Sequence, residues 1–540
     1  MRLKLDSAVE WAYVFLFAVF LAYIGMAAAM DHRLKHTFPY GFSASDAFGE
    51  IAYTEGIQEL GSYKFLPFYL RAGFSDTLGF HMPISNHIFA LFSFASGLEV
   101  WDSLLVTGFL YSIFAVLAMY LLVRGFSRSI ALISISLAVF LYIRNFSVIY
   151  SWGQWDLVMA TFFMISAAWV LSRFELKYGY MLFAVLASGI ALTHITEAAF
   201  LFMFTALFFI IRIARKKSSF AEIKKLAAGG VIATAICFYY LMIFKLGYAA
   251  GGVDNTIGYH APEWFDAALG QFGFVQFLII GGLIVSLFLL FTGTESTALV
   301  FGVFMLLIGY TNFISSFAPR AFQTRYLWPV HLSALIGVLI YFLLKLVIKE
   351  WKTIYSILIG IILASSITYA YYEKNSGSGI MDQRHWDMLM WIRENTPKDA
   401  KIIYFYGDPY SQEAILWNQK RLSYRVSMED FANAAKERKI KREYVVNVAA
   451  ADDAELLYRK SLFSFGYHYN EVNMSEYFGK KSICYFDYFV LDRGGMQQAL
   501  AQYNLLIANE LVKNGAIAVF DNGVLVLKKI KVDCIEERDF

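Results

Sequence analysis

Apolar runs about as long as a bilayer is thick alternate with short polar turns through the first two-thirds of the chain. A helix needs about 20 mostly apolar residues to cross the hydrocarbon core. That length predicts spans near 9–29, 104–124, 129–145, 156–173, 178–194, 196–212, 226–246, 271–291, 297–314, 327–347 and 353–372. The stretch 84–99 (ISNHIFALFSFASGLE) is apolar but short, and predicts an interfacial or re-entrant helix within a long loop, 30–103. From about 373 the pattern becomes that of a soluble α/β unit. HWDMLMWIRENTP reads as an amphipathic helix stopped by proline, and KDAKIIYFYG, REYVVNVAA and DYFVLD read as strands. QQALAQYNLLIANELVKNG predicts a helix with a glycine stop. AIAVFDNGVLVLKKIK predicts a hairpin around Asp-Asn-Gly. The expected division is 1–372, membrane domain, and 373–540, soluble domain.

The basic residues orient this map. Arg2 and Lys4, RGFSRS at 124–129, SRFELK at 172–177, RIARKKSSFAEIKK at 212–225 and KLVIKEWK at 345–352 all fall on one side. The positive-inside rule makes that side cytoplasmic. Counting 84–99 as a full span would invert every later loop and break the rule. With an odd number of spans, the C-terminal domain is expected outside the cytoplasm. The first apolar run is too long for a typical signal-peptide core, so it reads as a retained span. This is compatible with the plasma membrane of a bacterium or archaeon.

Composition agrees. Of 540 residues, 58% are hydrophobic and only 16% are charged, against roughly a quarter charged in soluble domains. The segments are helix-length rather than the ten-residue alternating strands of a membrane barrel. A net charge of +3 gives no reason to expect a nucleic-acid partner. Of the three cysteines, Cys237 falls in an apolar span, and Cys484 and Cys534 fall in the soluble region, where pairing is open. No CxxC, HExxH or Walker-type loop occurs.

The polar residues of the membrane domain gather in its outer loops. In GFSASDAFGEIAYTEG, Asp46 and Glu50 stand one helical turn apart. Two readings stand: helix capping by Ser43, Ser45 or Asp46, or a general base or metal ligand above the membrane. FHMPISNH supplies His81 and His87. The second outer loop supplies Arg144, Trp152, Gln154 and Asp156. Interfacial anchoring explains tryptophans, but not an aspartate at the mouth of an apolar span. His194 and Glu197 share the third outer turn, as a functional pair or as a satisfied pair between helices. Asp254 and His260 lie in the next loop, and Arg320, Arg325 and Tyr326 in the last. Arginine forks suit phosphate oxygens. Carboxylates and arginines on one face suit a substrate with a phosphate and an acceptor hydroxyl, and equally a passive anionic groove. Asp46 and Asp156 either share a divalent cation such as Mg or Mn or act without one.

The order of these parts resembles the type C (GT-C) membrane glycosyltransferases, in particular the protein O-mannosyltransferase and aminoarabinose-transferase group. SDAFGEIAYTEGIQELGSYKFLP is similar to that family's Asp-bearing first-loop helix. FHMPISNHIFALFSFASGLEVWDSLL is similar to its His-Pro stretch and juxtamembrane helix. RNFSVIYSWGQWDLVMATFF is similar to its second outer loop, and PRAFQTRYLWPVHLSALIG to its late Arg-Tyr-Pro loop. The resemblance covers roughly 9–350. It departs from the pattern at Ala47, which follows Asp46 where the mannosyltransferases have a glutamate. The oligosaccharyltransferase signature WWDYG is absent from the soluble region.

The resemblance implies a polytopic helical fold of about 11 transmembrane helices with juxtamembrane helices and an appended extracytoplasmic α/β domain. It implies inverting transfer of a sugar from a polyprenyl-phosphate donor to a hydroxyl of a protein, lipid or glycan. Asp46 takes the place of the catalytic aspartate and Asp156 of the second acidic position. Arg320 and Arg325 take the place of donor-phosphate contacts. The competing expectations are an oligosaccharyltransferase-like enzyme, a lipid-linked-sugar transporter or flippase, and a non-catalytic surface protein. A transporter predicts mid-membrane charges and repeat symmetry, whereas here the charges gather at one face.

Overall fold

The computed structural model describes residues 5–27, 36–62, 67–70, 83–143, 149–249, 270, 272–314, 328–372, 379–447, 479–494, 498–530 and 535–539. The apolar runs fold as helices: α1 (Leu5–Gly25), α2 (Ser45–Leu60), α3 (Pro83–Ser96), α4 (Val100–Arg124), α5 (Arg128–Ser134), α6 (Ile149–Trp152), α7 (Trp155–Leu171), α8 (Gly179–Ala191), α9 (Ile195–Ala214) and α10 (Phe220–Ala249). They continue as α11 (Val275–Phe291), α12 (Thr297–Ile314), α13 (Trp328–His331), α14 (Ser333–Lys345) and α15 (Thr353–Tyr371). Among the described residues five helices are long and apolar enough to cross a membrane: Asp6–Gly25, Val100–Arg124, Glu197–Ala214, Phe220–Met242 and Thr353–Tyr371. The remaining apolar helices are shorter. Outward-facing Phe202, Phe277 and Ile362 mark surfaces suited to lipid.

The segment expected as a single span over 129–145 changes type midway. It is α-helical over α5 and then 3₁₀ from Ile135 to Tyr142. The 3₁₀ turn rises farther per residue, so the two pieces reach about 26 Å with few residues. A run this long is uncommon for 3₁₀ geometry. Here it is wholly buried, with Phe140 packed on Tyr371 of α15 at 5.4 Å between ring centroids. At α1, buried Glu10 is met by Arg124 and by Arg128 (2.9 Å), and accepts from the Tyr120 hydroxyl (2.5 Å). A carboxylate in an apolar helix is tolerable only with such partners, and the cluster pins α1 to α4 and α5.

α3 is 14 residues long, about 21 Å, which is less than the hydrocarbon core. It lies beside α2 and α4. Asn86 Nδ2 donates to Glu50 Oε2 (2.7 Å), and the Ser103 hydroxyl donates to the Phe89 carbonyl (2.7 Å).

The C-terminal region contains helices α16 (Gln383–Asn395), α17 (Glu413–Leu416), α18 (Met428–Glu437) and α19 (Gln498–Lys513). Its strands are β1 (Lys401–Tyr404), β2 (Leu422–Val426), β3 (Lys439–Ile440), β4 (Glu443–Asn447), β5 (Gly479–Ser482), β6 (Tyr488–Asp492), β7 (Ala516–Asp521), β8 (Val524–Lys529) and β9 (Arg538–Asp539). Seven of them form one sheet in the order β5-β4-β2-β1-β6-β8-β7. β1 pairs in parallel with β2 and β6, and the outer pairs are antiparallel. The expected strands and both helices are present, and the Asn522-Gly523 turn joins β7 to β8 with Gly523 at φ +103. Ile403, Phe405, Phe489 and Leu491 are fully buried, each contributing about 1.5–3 kcal/mol. Cys484 is disulfide-bonded, Cys237 is a buried free thiol, and Cys534 lies outside the described residues.

Candidate functional site

The site begins at the amino end of α2. Its N-cap is Ala44, which has no side chain able to cap, so neither Ser45 nor Asp46 holds the capping position. Asp46 stands in the first turn, solvent-exposed, where the positive end of the helix dipole favours a carboxylate. The residues after it turn inward: Ala47, Phe48, Gly49 and Glu50 are all buried.

The turn from Ser151 to Asp156 lies directly against this helix end. Ser43 N–H donates to the Ser151 carbonyl (2.8 Å), and the two hydroxyls are 2.9 Å apart. Gly153, at φ +89, approaches the start of α2 so closely that a Cβ there would come within 2.5 Å of Ala47 N and 2.8 Å of Asp46 C. Only glycine satisfies both the left-handed conformation and the close approach. Trp152 closes α6, half-buried, and Gln154 is the N-cap of α7. Trp155 is completely buried against Gly108 of α4, with its ring 5.3 Å from that of Phe42. Asp156 thus opens α7 beside the start of α2, with Oδ1 accepting from Leu157 N–H (2.7 Å).

A third element joins them. Glu197, in the first turn of α9, is fully buried, and neither carboxylate oxygen has a hydrogen-bond partner among the described residues. Asp156 lies within electrostatic reach of it. His194 is the α9 N-cap residue. A fully buried carboxylate within electrostatic reach of a second, half-buried one carries both repulsion and desolvation, an arrangement suited to a cation. Their hard oxygen donors fit Mg or Mn. Among the described residues, no group of three His, Cys, Asp or Glu side chains forms a metal-binding cluster.

Glu50 is placed differently from Asp46. It is buried and accepts from Asn86, which also donates to Thr54 (3.2 Å). Glu50 therefore helps tie α2 to α3. His87 lies one turn into α3, with its Nδ1–H donating to the Pro83 carbonyl (2.7 Å). His81, Arg144, Asp254, His260, Arg320, Arg325 and Tyr326 lie outside the described residues.

The sheet domain grips the same helix. Glu55 takes Arg393 (2.8 Å) and Lys420 (2.7 Å), and Lys420 also pairs with Glu59. Asn418 Nδ2 donates to the Phe48 carbonyl (3.3 Å), and Trp417 packs edge-on to Tyr53. Ile380 N–H donates to the Phe42 carbonyl (2.8 Å) just before α2 begins. The local sequence gives no sign that Asn86 and Lys420 hold α2, and little that Gly153 does. The one local signal was a glycine between two tryptophans in SWGQWD.

No family model matches the chain, and no curated protein matches it. Solved structures do. The Archaeoglobus fulgidus oligosaccharyltransferase tethered with an acceptor peptide containing the NVT sequon is 12% identical, with TM-score 0.54, covering 97% of this chain and 74% of that one. The same enzyme in complex with Zn and sulfate gives 13% and 0.53, covering 89% and 68%. Its apo form is spanned over 64% of its length. ArnT from Cupriavidus metallidurans bound to undecaprenyl phosphate is 10% identical, with TM-score 0.53, covering 96% and 98%. The mycobacterial arabinofuranosyltransferase AftD is 9% identical, with TM-score 0.56, covering 96% and 40%.

Proposed function

From a fold shared with GT-C membrane glycosyltransferases, the resemblance read from the loop motifs being borne out, we propose that the chain is itself such an enzyme. It transfers a sugar from a polyprenyl-phosphate donor to an acceptor hydroxyl, on the outer face of the membrane. The observation that carries the reading is the junction of α2 with the Ser151–Asp156 turn, which brings exposed Asp46 beside the start of α7. An acceptor hydroxyl needs a carboxylate to take its proton as it attacks the anomeric carbon. Asp46, open to solvent and carried on a helix packed on both sides, suits that role. A single displacement inverts the anomeric centre. A neighbour holding undecaprenyl phosphate, matched over nearly the whole of both chains, supports the donor class.

Asp156 and Glu197 are the residues that would hold a divalent cation. When bound, such an ion neutralises charge developing on a phosphate leaving group. The arginines of the last outer loop, Arg320 and Arg325, are proposed to meet the donor phosphate. Likeness to an oligosaccharyltransferase with a sequon peptide favours one second reading, transfer to asparagine.

The test is sugar release from a panel of radiolabelled polyprenyl-phosphate sugars in proteoliposomes, with hydroxyl-bearing and sequon peptides as acceptors. Wild type should consume one donor class. Asp46→Asn should lose about 10²–10⁴-fold in rate while folding normally. Retained turnover in that variant removes Asp46 from the chemistry, and transfer to the sequon peptide alone replaces the hydroxyl reading with the asparagine one.

A further inference from the structure

A polar cavity lies at the opposite end of the helices that carry the candidate site. It is bounded by the carboxyl ends of α4, α7, α9 and α11 and the start of α12, with a volume of about 260 Å3. Sixteen residues of α7 separate its rim at Ser172 from Asp156, about 24 Å along the helix. Arg173, Arg212 and Arg215 line it, together with the polar side chains of Ser172, Thr294 and Ser296. We propose that this cavity binds a phosphate group on the membrane face opposite the transfer site, through the guanidinium groups of Arg173 and Arg212.

Capping of helix carboxyl ends accounts for only part of this cluster. Arg215 is used in that way: it donates to the Thr294 carbonyl (3.2 Å) and to that of Leu290. Arg212 spends one nitrogen on the Lys217 carbonyl (3.1 Å) and on Glu222 (3.0 Å). Its Nε–H is buried and has no acceptor among the described residues. Arg173 makes no side-chain hydrogen bond or ion pair among the described residues, and lies over the Trp169 ring at 4.5 Å. A guanidinium over an indole gains cation–π attraction without spending its N–H donors. The acidic lining residue, Glu295, is already paired with Lys217 at the rim (2.8 Å). The cavity therefore carries positive charge in excess, and one donor of an arginine that lines it is desolvated. A phosphate monoester or diester, which accepts at several oxygens in fork geometry, matches this better than a carboxylate. Basic pockets between membrane helices on the positively charged side are where anionic headgroups seat. A soluble phosphate offers the same chemistry.

The full-length protein decides between these sources. In one arm, native mass spectrometry measures retention of phosphatidylglycerol against phosphatidylcholine. In the other, inorganic phosphate is titrated against the thermal unfolding of the detergent-solubilised protein. A preference of about tenfold for phosphatidylglycerol that falls to parity in Arg173→Gln and Arg212→Gln supports the site with a lipid occupant. A phosphate-induced rise in Tm that both variants lose supports it with a soluble one. Arg173→Gln breaks no described contact except the stack on Trp169, so it reports even where Arg212→Gln disturbs the fold through Glu222. Equal retention of both lipids with no phosphate shift, or a preference that both variants keep, overturns the proposal and leaves the arginines as caps.

Discussion

Gly153 and His385 show how single residues set the tolerances of this molecule. Gly153→Ala places a methyl group against the backbone of Asp46 and Ala47 in a conformation that favours glycine. The start of α2 must then move away from α7, at a cost of about 1–3 kcal/mol. We expect sugar transfer to fall more steeply than stability, as read by donor consumption beside thermal unfolding. His385 is buried in the sheet domain, with Nδ1 2.8 Å from Asp382 and Nε2 3.5 Å from Asp492, its ring stacked on Tyr410. Burial by itself pulls the imidazole pKa down, but the two carboxylates outweigh it and the net direction is up. Burial likewise raises both aspartates, and His385 reverses this and brings them down. A histidine raised on folding stabilises fully below its unfolded value, about 6.5, and that stability is lost as pH rises through the folded value. The aspartates act in the opposite sense: their contribution is present above about 3.9 and is lost as pH falls through their folded values. The Tm of the purified protein should therefore fall above about pH 6.5. His385→Gln should flatten that alkaline limb, and an unchanged limb would remove His385 as its source.

At the scale of elements, α2 is held at three places. Its amino end abuts the Ser151–Asp156 turn, its middle is tied to α3 through Glu50 and Asn86, and its last turns are clasped by Lys420 and Arg393. The helix bearing the proposed base is thus positioned by the sheet domain as well as by the helices and turn packed around it. Lys420 is nearly buried between two carboxylates. Lys420→Met removes the cation and leaves Glu55 with Arg393 alone. We expect a loss of about 1–3 kcal/mol and a lower kcat with the donor still bound. Unchanged kcat at reduced stability would mean that the clasp holds the domains together without positioning Asp46.

For the whole molecule, the basic turns and the bonded Cys484 bear on one question of sidedness. Disulfides persist in oxidising compartments, so the bond at Cys484 favours an extracytoplasmic sheet domain, as the basic loops do. Single cysteines introduced as Lys224→Cys and Glu437→Cys should be labelled from opposite sides of intact membranes, the second from outside. Labelling from the same side would reverse the proposed orientation of the site. Much of this architecture is legible in the sequence because burial in lipid imposes long uniform apolar runs, and because strands and hairpins carry short-range turn chemistry such as Asp521-Asn522-Gly523. The strand Leu422–Val426 is not legible in the sequence, being short and carrying the polar residues Ser423 and Arg425. Nor is the 3₁₀ run Ile135–Tyr142, since so apolar a segment has no periodicity to reveal a change of helix type. By itself the sequence determined the membrane class, the apolar helices, the hairpin and the presence of acidic residues at helix starts, all consequences of local composition and spacing. Only the tertiary structure decided that Asp46 meets the turn before Asp156, that Glu197 is buried within electrostatic reach of Asp156, and that Glu50 and Lys420 hold α2 in place. Those are contacts between residues far apart in the chain, formed by close packing between helices and sheet, and no spacing along one strand of sequence encodes them.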